Sequence, residues 1–214
     1  MKRVLLAVTG ILLAIIVVIG WKFIFPKKRT DDDTKPQGLT VSKHTDSFNQ
    51  SMMTAMDTYY KLAEAFVNWD TATVYKATAD FKIAVDSIHI QEMEKDSSIY
   101  PTVQGQWESI KSEIVGMQAD TSIYQKREDL NSLSLQMFDL LRIVKYDAAK
   151  VYYQECPMAL NNYESKAYWL STTGDNKSRR NPYLGLYDPK FGRAMLACGT
   201  TKDSINFVQA STGK

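Results

Sequence analysis

Apolar positions recur with helical spacing in four successive stretches of the chain. Phe48, Met52, Ala55, Tyr59, Leu62 and Phe66 step by threes and fours, which places them on one face of a helix, with Thr45 or Asp46 as its N-cap. After Asn68-Trp69-Asp70, a second stripe runs Val74, Ala77, Phe81, Ala84 and Ile88. Pro101 and Gly105 predict a connection, and Val103, Trp107, Ile110, Ile114 and Met117 make a third stripe. Asp120-Thr121 then caps a fourth helix, whose inner face is Leu130, Leu133, Met137, Leu140 or Leu141, Val144 and Ala148. Short links between four helices of similar length predict an all-α fold, an antiparallel up-down four-helix bundle. Methionines and aromatics on these stripes are core residues, not a cofactor box.

Beyond Val151 the periodicity stops. Tyr152, Tyr153, Tyr163, Tyr168, Trp169, Tyr183, Tyr187 and Phe191 crowd a stretch rich in Asn, Gly and Pro. This predicts an irregular aromatic-rich segment laid across the bundle, its rings buried and its hydroxyls partnered. A last short helix over residues 195–198 is expected to end at Gly199 in the left-handed conformation.

The amino-terminal pattern is of another kind. Residues 4–21 carry no charge, and helical continuation to Phe25 gives about 33 Å at ~1.5 Å per residue, with Lys22 able to snorkel. That length spans a bilayer. An export signal also begins with basic residues and an apolar run, but Gly20-Trp21-Lys22-Phe23 offers no small-x-small cleavage site and no cysteine for lipidation. The segment therefore reads as an uncleaved signal anchor. Residues 26–45 are polar, broken by Pro36 and Gly38, and include Asp31-Asp32-Asp33, a solvated spacer. The organisation expected is an anchor over 1–29, a tether over 30–45, a helical domain over 46–208 and a tail over 209–214.

Charge changes the picture in one respect. The formal net charge of +2 hides a division, because Lys2, Arg3, Lys22, Lys27, Lys28 and Arg29 all flank the apolar run. Set those six aside, and 20 Lys and Arg face 24 Asp and Glu in the remainder. An acidic remainder excludes a basic nucleic-acid surface and is compatible with cations. The positive-inside rule, taken alone, puts the domain in the cytoplasm. The short N-terminal flank and a cysteine pair suited to an oxidising compartment argue the other way. The expectation is a single-pass protein of the inner membrane with its C-terminal domain in the periplasm.

Candidate chemistry concentrates in the last third. The only cysteines lie in Cys156-Pro157-Met158 and Met195-Leu196-Ala197-Cys198-Gly199. Pro157 pushes Cys156 into extended backbone, where residues two apart share a face, so Cys156 and Met158 can point the same way. Met195 and Cys198, at i and i+3 of a helix, also share a face. Two thiolates and two thioethers brought together suit a soft ion such as Cu(I). The same cysteines can close a disulfide, which by chain entropy contributes about 3–4 kcal/mol. On the residues alone both readings stay open, and a redox-active pair ranks third because nothing resembles Cys-x-x-Cys.

The rest of the inventory argues against an enzyme. His44 falls in the tether and His89 on a helix shoulder, each a solvated or satisfied histidine. His-Glu-x-x-His, a phosphate-binding glycine loop and Gly-x-Ser-x-Gly are missing from the sequence. Glu128 and Asp129 are adjacent, so they diverge around their helix.

Several ordered motifs carry a resemblance. Gln125-Lys126-Arg127-Glu128, Leu133-Ser134, Cys156-Pro157-Met158, Ala167-Tyr168-Trp169-Leu170-Ser171, Asn181-Pro182-Tyr183-Leu184-Gly185 and Met195-Leu196-Ala197-Cys198-Gly199 follow one another. Together they resemble a bacterial envelope family, domain-of-unknown-function family number 3347, loosely over the soluble domain and closely over residues 125–199. Some of its members are joined to, or encoded near, periplasmic adaptors of copper and other heavy-metal efflux systems. The resemblance implies a metal role for Cys156, Met158, Met195 and Cys198. The chain departs from the family in having Tyr124 where many relatives have a histidine, and in the inserted residues 186–191.

Two functions follow as expectations. In the first, the domain captures Cu(I) or a similar soft ion outside the membrane and passes it to an efflux adaptor, with Tyr168 and Trp169 walling the site from water. In the second, it is a non-catalytic module that docks on an envelope complex, its C-terminal segment stapled by a Cys156–Cys198 disulfide.

Overall fold

Four helices lead the part of the chain that the computed structural model describes, residues 44–208: α1 (Asp46–Val67), α2 (Thr71–Asp86), α3 (Tyr100–Ala119) and α4 (Ile123–Ile143). Their apolar stripes point inward as expected. Phe48, Met52, Tyr59, Leu62, Phe66, Val74, Phe81, Val103, Ile110, Ile114, Leu130, Leu133 and Met137 are all buried, and Leu140 and Leu141 both are. Each such side chain contributes about 1.5–3 kcal/mol of burial free energy, which holds the helices where propensity alone would not. Consecutive helices pack together, and Tyr59 of α1 reaches Ser134 of α4 at 2.6 Å, so the first and last also touch.

The helix ends follow side-chain chemistry. Thr45 caps α1 by accepting from the Phe48 N–H, and Asp70 caps α2 by accepting from the Thr73 N–H. Ser122, not Asp120 or Thr121, caps α4, accepting from the Tyr124 N–H. Pro101 and Gly105 do not mark a connection. Pro101 sits in the first turn of α3, where a missing N–H is tolerated, and Gly105 lies inside that helix. The real link is a 3₁₀ helix, Ile90–Lys95.

His44, expected as solvated tether, is instead built into the domain. Its side chain is almost wholly buried, Nε2 lies 2.6 Å from the Val144 carbonyl, Nδ1 lies 3.1 Å from a Glu92 oxygen, and the ring stacks on Phe48. Burial pushes the Glu92 carboxyl up, but hydrogen bonds from Thr45 and His44 outweigh it and hold the group below its ordinary value. His89 meets Ser47 Oγ at an exposed position, as a satisfied surface histidine would.

The α3–α4 corner gathers acidic groups. Burial pushes the Asp129 carboxyl from 3.8 up to about 7, Asp120 and Glu113 push it the same way, and Lys126 opposes them. A carboxyl whose folded value exceeds its unfolded one binds more protons when folded, so stability falls as pH rises from about 4 to 7. Replacing it, Asp129→Asn, should raise the melting temperature above pH 7 and leave it nearly unchanged below pH 4. Equal shifts at both ends would exclude Asp129 as the source. Calorimetry across that range measures it.

The all-α expectation is overturned beyond α4. Residues 151–205 contain a three-stranded antiparallel sheet of order β2-β1-β3, formed by β1 (Val151–Leu160), β2 (Ser165–Ser171) and β3 (Thr200–Ile205). Val, Tyr and Trp in the first two segments fit a pleated surface, whatever the lack of alternation suggested. Pro157 is accommodated because β1 has already run past its pairing with β3, and the β1–β2 register shifts between Cys156 and Leu160. β2 is an edge strand, but the helical layer covers it. Asn131 accepts from the Tyr168 N–H at 2.8 Å, and the Tyr59 hydroxyl accepts from the Leu170 N–H at 3.0 Å. The helix expected over residues 195–198 is a single 3₁₀ turn, Arg193–Met195, leading into β3.

Among the described residues no helix is long and apolar enough to cross a membrane. The expected anchor over 1–29, most of the expected tether and the tail over 209–214 lie outside the described residues.

Candidate functional site

The two cysteines, 42 positions apart in sequence, come together. Cys156 is fully buried on β1, and Cys198 is half-buried just before β3; their Sγ atoms stand 3.3 Å apart and unbonded. Strand alternation places Gln154 and Cys156 on one face of β1, with Trp169 and Ala167 opposite them on β2. Tyr153 and Tyr168 take the other face, where they stack on each other at 4.9 Å and Tyr153 also stacks on Phe138 of α4. Of the two aromatics expected to wall the sulfurs, only Trp169 is therefore on their face.

What holds Cys198 against β1 is a pair of polar side chains, Arg179, which sequence reasoning did not single out, and Asn181, quoted there only as part of a motif. Arg179 is buried, with only 3% of its surface exposed. Its Nη1 donates to the Gly199 carbonyl at 2.7 Å, Nε to Gln154 Oε1 at 3.0 Å and Nη2 to Asn176 Oδ1. Asn181 is fully buried, and its Nδ2 donates to the Cys198 carbonyl while its Oδ1 accepts from the Tyr183 and Leu184 N–H groups. The carbonyls of Cys198 and Gly199 are thus both tied to buried donors. Gly199 sits at φ 131°, and a Cβ there would meet the Glu155 carbonyl at 2.5 Å and the Trp169 ring at 3.0 Å. Only glycine lets the chain pass this close to β1.

The electrostatics favour thiols. Burial pushes the Cys198 thiol up to about 12, its neighbour Cys156 adds to this, and Arg179 counteracts only in part. A reactive or catalytic cysteine requires the opposite, an electropositive and exposed setting. Met158 and Met195 are half-buried and pack against the hydrophobic core, the ordinary role of methionine. Among the described residues no three His, Cys, Asp or Glu side chains are gathered to hold a metal ion. Two sulfurs are what the fold assembles, and a tetrahedral site with bonds of ~2.3 Å would set them roughly 3.8 Å apart. The pair sits between that spacing and the ~2.05 Å of a covalent bridge.

A second cluster lies in the first turns of α4. Arg127, from the Gln125-Lys126-Arg127-Glu128 motif, is buried against Trp69 with its Cζ 3.5 Å from the ring centroid. Trp69 holds φ 53° in the α1–α2 turn, and its indole N–H donates to the Leu184 carbonyl at 3.1 Å. The Leu186 N–H donates to the Val67 carbonyl at 2.8 Å. The Asn181-to-Gly185 motif therefore bridges the sulfur loop to the helices.

Residues 55–148 match the family described as Protein of unknown function (DUF3347). The DUF3347 match runs from within α1 past the end of α4, so it holds Trp69 and Arg127 and stops before β1. Neither cysteine falls inside it, and of the span expected to resemble the family most closely, 125–199, only the first part does. No curated protein and no solved structure matches the chain.

Proposed function

We propose that this domain captures a soft metal ion of the Cu(I) kind through Cys156 and Cys198, as a membrane-anchored periplasmic accessory in metal homeostasis or efflux. The observation that carries the reading is the unbonded sulfur pair at 3.3 Å, one thiol fully buried and the other reachable from solvent. Cys156 and Cys198 are the anionic ligands once deprotonated. Met158 and Met195 are the neutral donors nearest in sequence, selecting for softness without adding charge. The efflux-adaptor partner rests on the family resemblance alone, and membrane attachment on the apolar residues 4–25. No catalytic role is proposed.

Binding must expel protons, because both ligands act as thiolates. Affinity therefore rises with pH, by about tenfold per unit for each proton released, over a range extending well above neutrality for a thiol held as high as Cys198. The expected result is near-stoichiometric Cu(I) uptake by the reduced full chain in competition with a chromogenic chelator. Cys156→Ser and Cys198→Ser should each abolish it. Equal uptake by wild type and both variants would rule the site out.

The second reading, an interaction module stapled by a Cys156–Cys198 disulfide, draws on the same distance. Thiol–disulfide exchange with an oxidising disulfide, itself reduced to two thiols, forms the bond after a small approach of the sulfurs, and the loop around Cys198 is already fixed. Thiol titration of protein isolated without reductant separates the two. Two free thiols that Cu(I) protects favour capture, and none favours the staple.

A further inference from the structure

Arg127 is a buried cation whose best hydrogen-bonding edge is empty. Its surface is 3% exposed, and among the described residues neither Nε nor Nη2 finds a partner. These two nitrogens form the side of the guanidinium that grips a carboxylate with two parallel bonds. The chain shows that grip elsewhere, where Arg180 Nε and Nη2 both donate to the Glu64 carboxylate. Burial lowers the Arg127 pKa to about 10, so the group remains a cation at neutral pH. Leaving a charged donor pair buried and unmatched is costly, and folded proteins rarely tolerate it without a ligand or a purpose.

Arg127 also lines a cavity of about 170 Å³ with Tyr124, Asn162, Tyr163 and Leu184. An apolar cavity of roughly 150 Å³ takes a benzene-sized molecule, which sets the scale of the guest. Asp188 is on the cavity wall, but its carboxylate is engaged by the Tyr163 hydroxyl at 3.2 Å and by the Lys190 and Phe191 N–H groups. It forms no ion pair with Arg127. Nε and Nη2 are shielded from water, so a guest has to part the rim to reach them. The rim includes the turn between β1 and β2, where Asn161, Asn162 and Tyr163 hold left-handed backbone at φ 50°, 55° and 73°.

We infer that this cavity is a binding site for a small organic monocarboxylate, held by the Nε/Nη2 edge of Arg127 over the face of Trp69. The negative charges of Glu128 and Asp188 on the wall disfavour a doubly charged oxyanion such as phosphate. The aromatic lining from Tyr124, Tyr163 and Tyr183 gives the apolar part of the acid its contact. The site is separate from the cysteine pair and stands whether or not a metal binds there.

The experiment is titration of the full chain with sodium benzoate, with acetate, benzamide and inorganic phosphate as comparisons, followed by calorimetry and by the Arg127 Nε–H signal in NMR. Saturable benzoate binding that shifts that signal is expected, with acetate weaker and with benzamide and phosphate each at least tenfold weaker. Arg127→Lys keeps the charge and loses the fork, and should weaken benzoate about tenfold. Arg127→Gln should abolish binding. Because these changes touch a buried residue, Glu128→Gln serves as the variant at the exposed rim, and it should tighten benzoate about twofold to fivefold. Benzamide or phosphate binding as well as benzoate, or a Glu128→Gln variant that binds no tighter, would overturn the inference. So would a benzoate response that leaves the Arg127 signal in place.

Discussion

Arg179→Met should cost about 3 kcal/mol of folding stability and speed alkylation of Cys198 at least tenfold. The apolar replacement keeps much of the volume and deletes three donors. The Gly199 carbonyl loses its bond from Nη1, and Gln154 Oε1 retains only the Thr201 hydroxyl at 3.1 Å. Each buried acceptor left without a partner costs about 1–3 kcal/mol, while Asn176, being exposed, turns to water. Asn181 is then the one buried side-chain donor left on the carbonyls of Cys198 and Gly199, ahead of the pairing of β3 with β1. Its opening no longer needs the buried guanidinium to move, so the half-buried thiol meets reagent more often. Arg180→Met is the matched control, because its pair with Glu64 is about half exposed on both sides, 44% and 42%, and surface pairs contribute about 0–1 kcal/mol. Urea denaturation and iodoacetamide labelling measure both effects. If the two neighbouring substitutions behave alike, Arg179 does not organise the sulfur loop.

These adjacent arginines also show where the sequence stops being informative. Arg179 and Arg180 are the same residue type in a stretch without periodicity, yet one is buried in the C-terminal layer and the other pairs at the surface. Nothing local separates them. Helical stripes were readable because a 3.6-residue period reports one buried face directly. β1 was not, because both of its faces are covered: Tyr153 packs toward α4 while Gln154 and Cys156 meet residues of the C-terminal segment. A strand buried on both faces loses its alternation, and the extended backbone expected at Cys156 from Pro157 covered only a part of β1. β3 is exposed along nearly its whole length, so no apolar signal marked it.

The candidate site was half legible. Its residue types drew attention to Cys156 and Cys198, and the chain does bring those two together. The methionines beside them pack against the core, Gln154 and Arg179 went unread, and Asn181 was noted as a motif residue without its part in the clamp. Arg127 did carry a signal. It stands three residues before Leu130, on the buried stripe of α4 itself, where a charged residue breaks the pattern. Local conflicts of this kind with the binary pattern point to function more often than to error.

Gly185→Ala should destabilise the domain by about 3 kcal/mol or more and lower its melting temperature by roughly 10 °C. Two costs add. Gly185 holds φ 59°, a left-handed conformation that costs a residue with a Cβ about 1–2 kcal/mol. That Cβ would also stand 2.4 Å from the Val67 carbonyl and 2.8 Å from the Trp69 ring. Neither neighbour can yield freely. The Val67 carbonyl accepts from the Leu186 N–H, and Trp69 is held by its bond to the Leu184 carbonyl and by the stacked Arg127. The strain therefore spreads along the bridge between helices and sulfur loop, and Trp69 is the side chain that must shift. Gly116→Ala makes the contrast, since a Cβ there meets nothing within 4 Å and the residue lies inside α3. It should be neutral or stabilising by up to about 1 kcal/mol, the helix-propensity difference. Calorimetry on the two variants checks both signs. A Gly185→Ala protein as stable as the Gly116→Ala one would mean that the Trp69 turn is not the rigid joint these contacts describe.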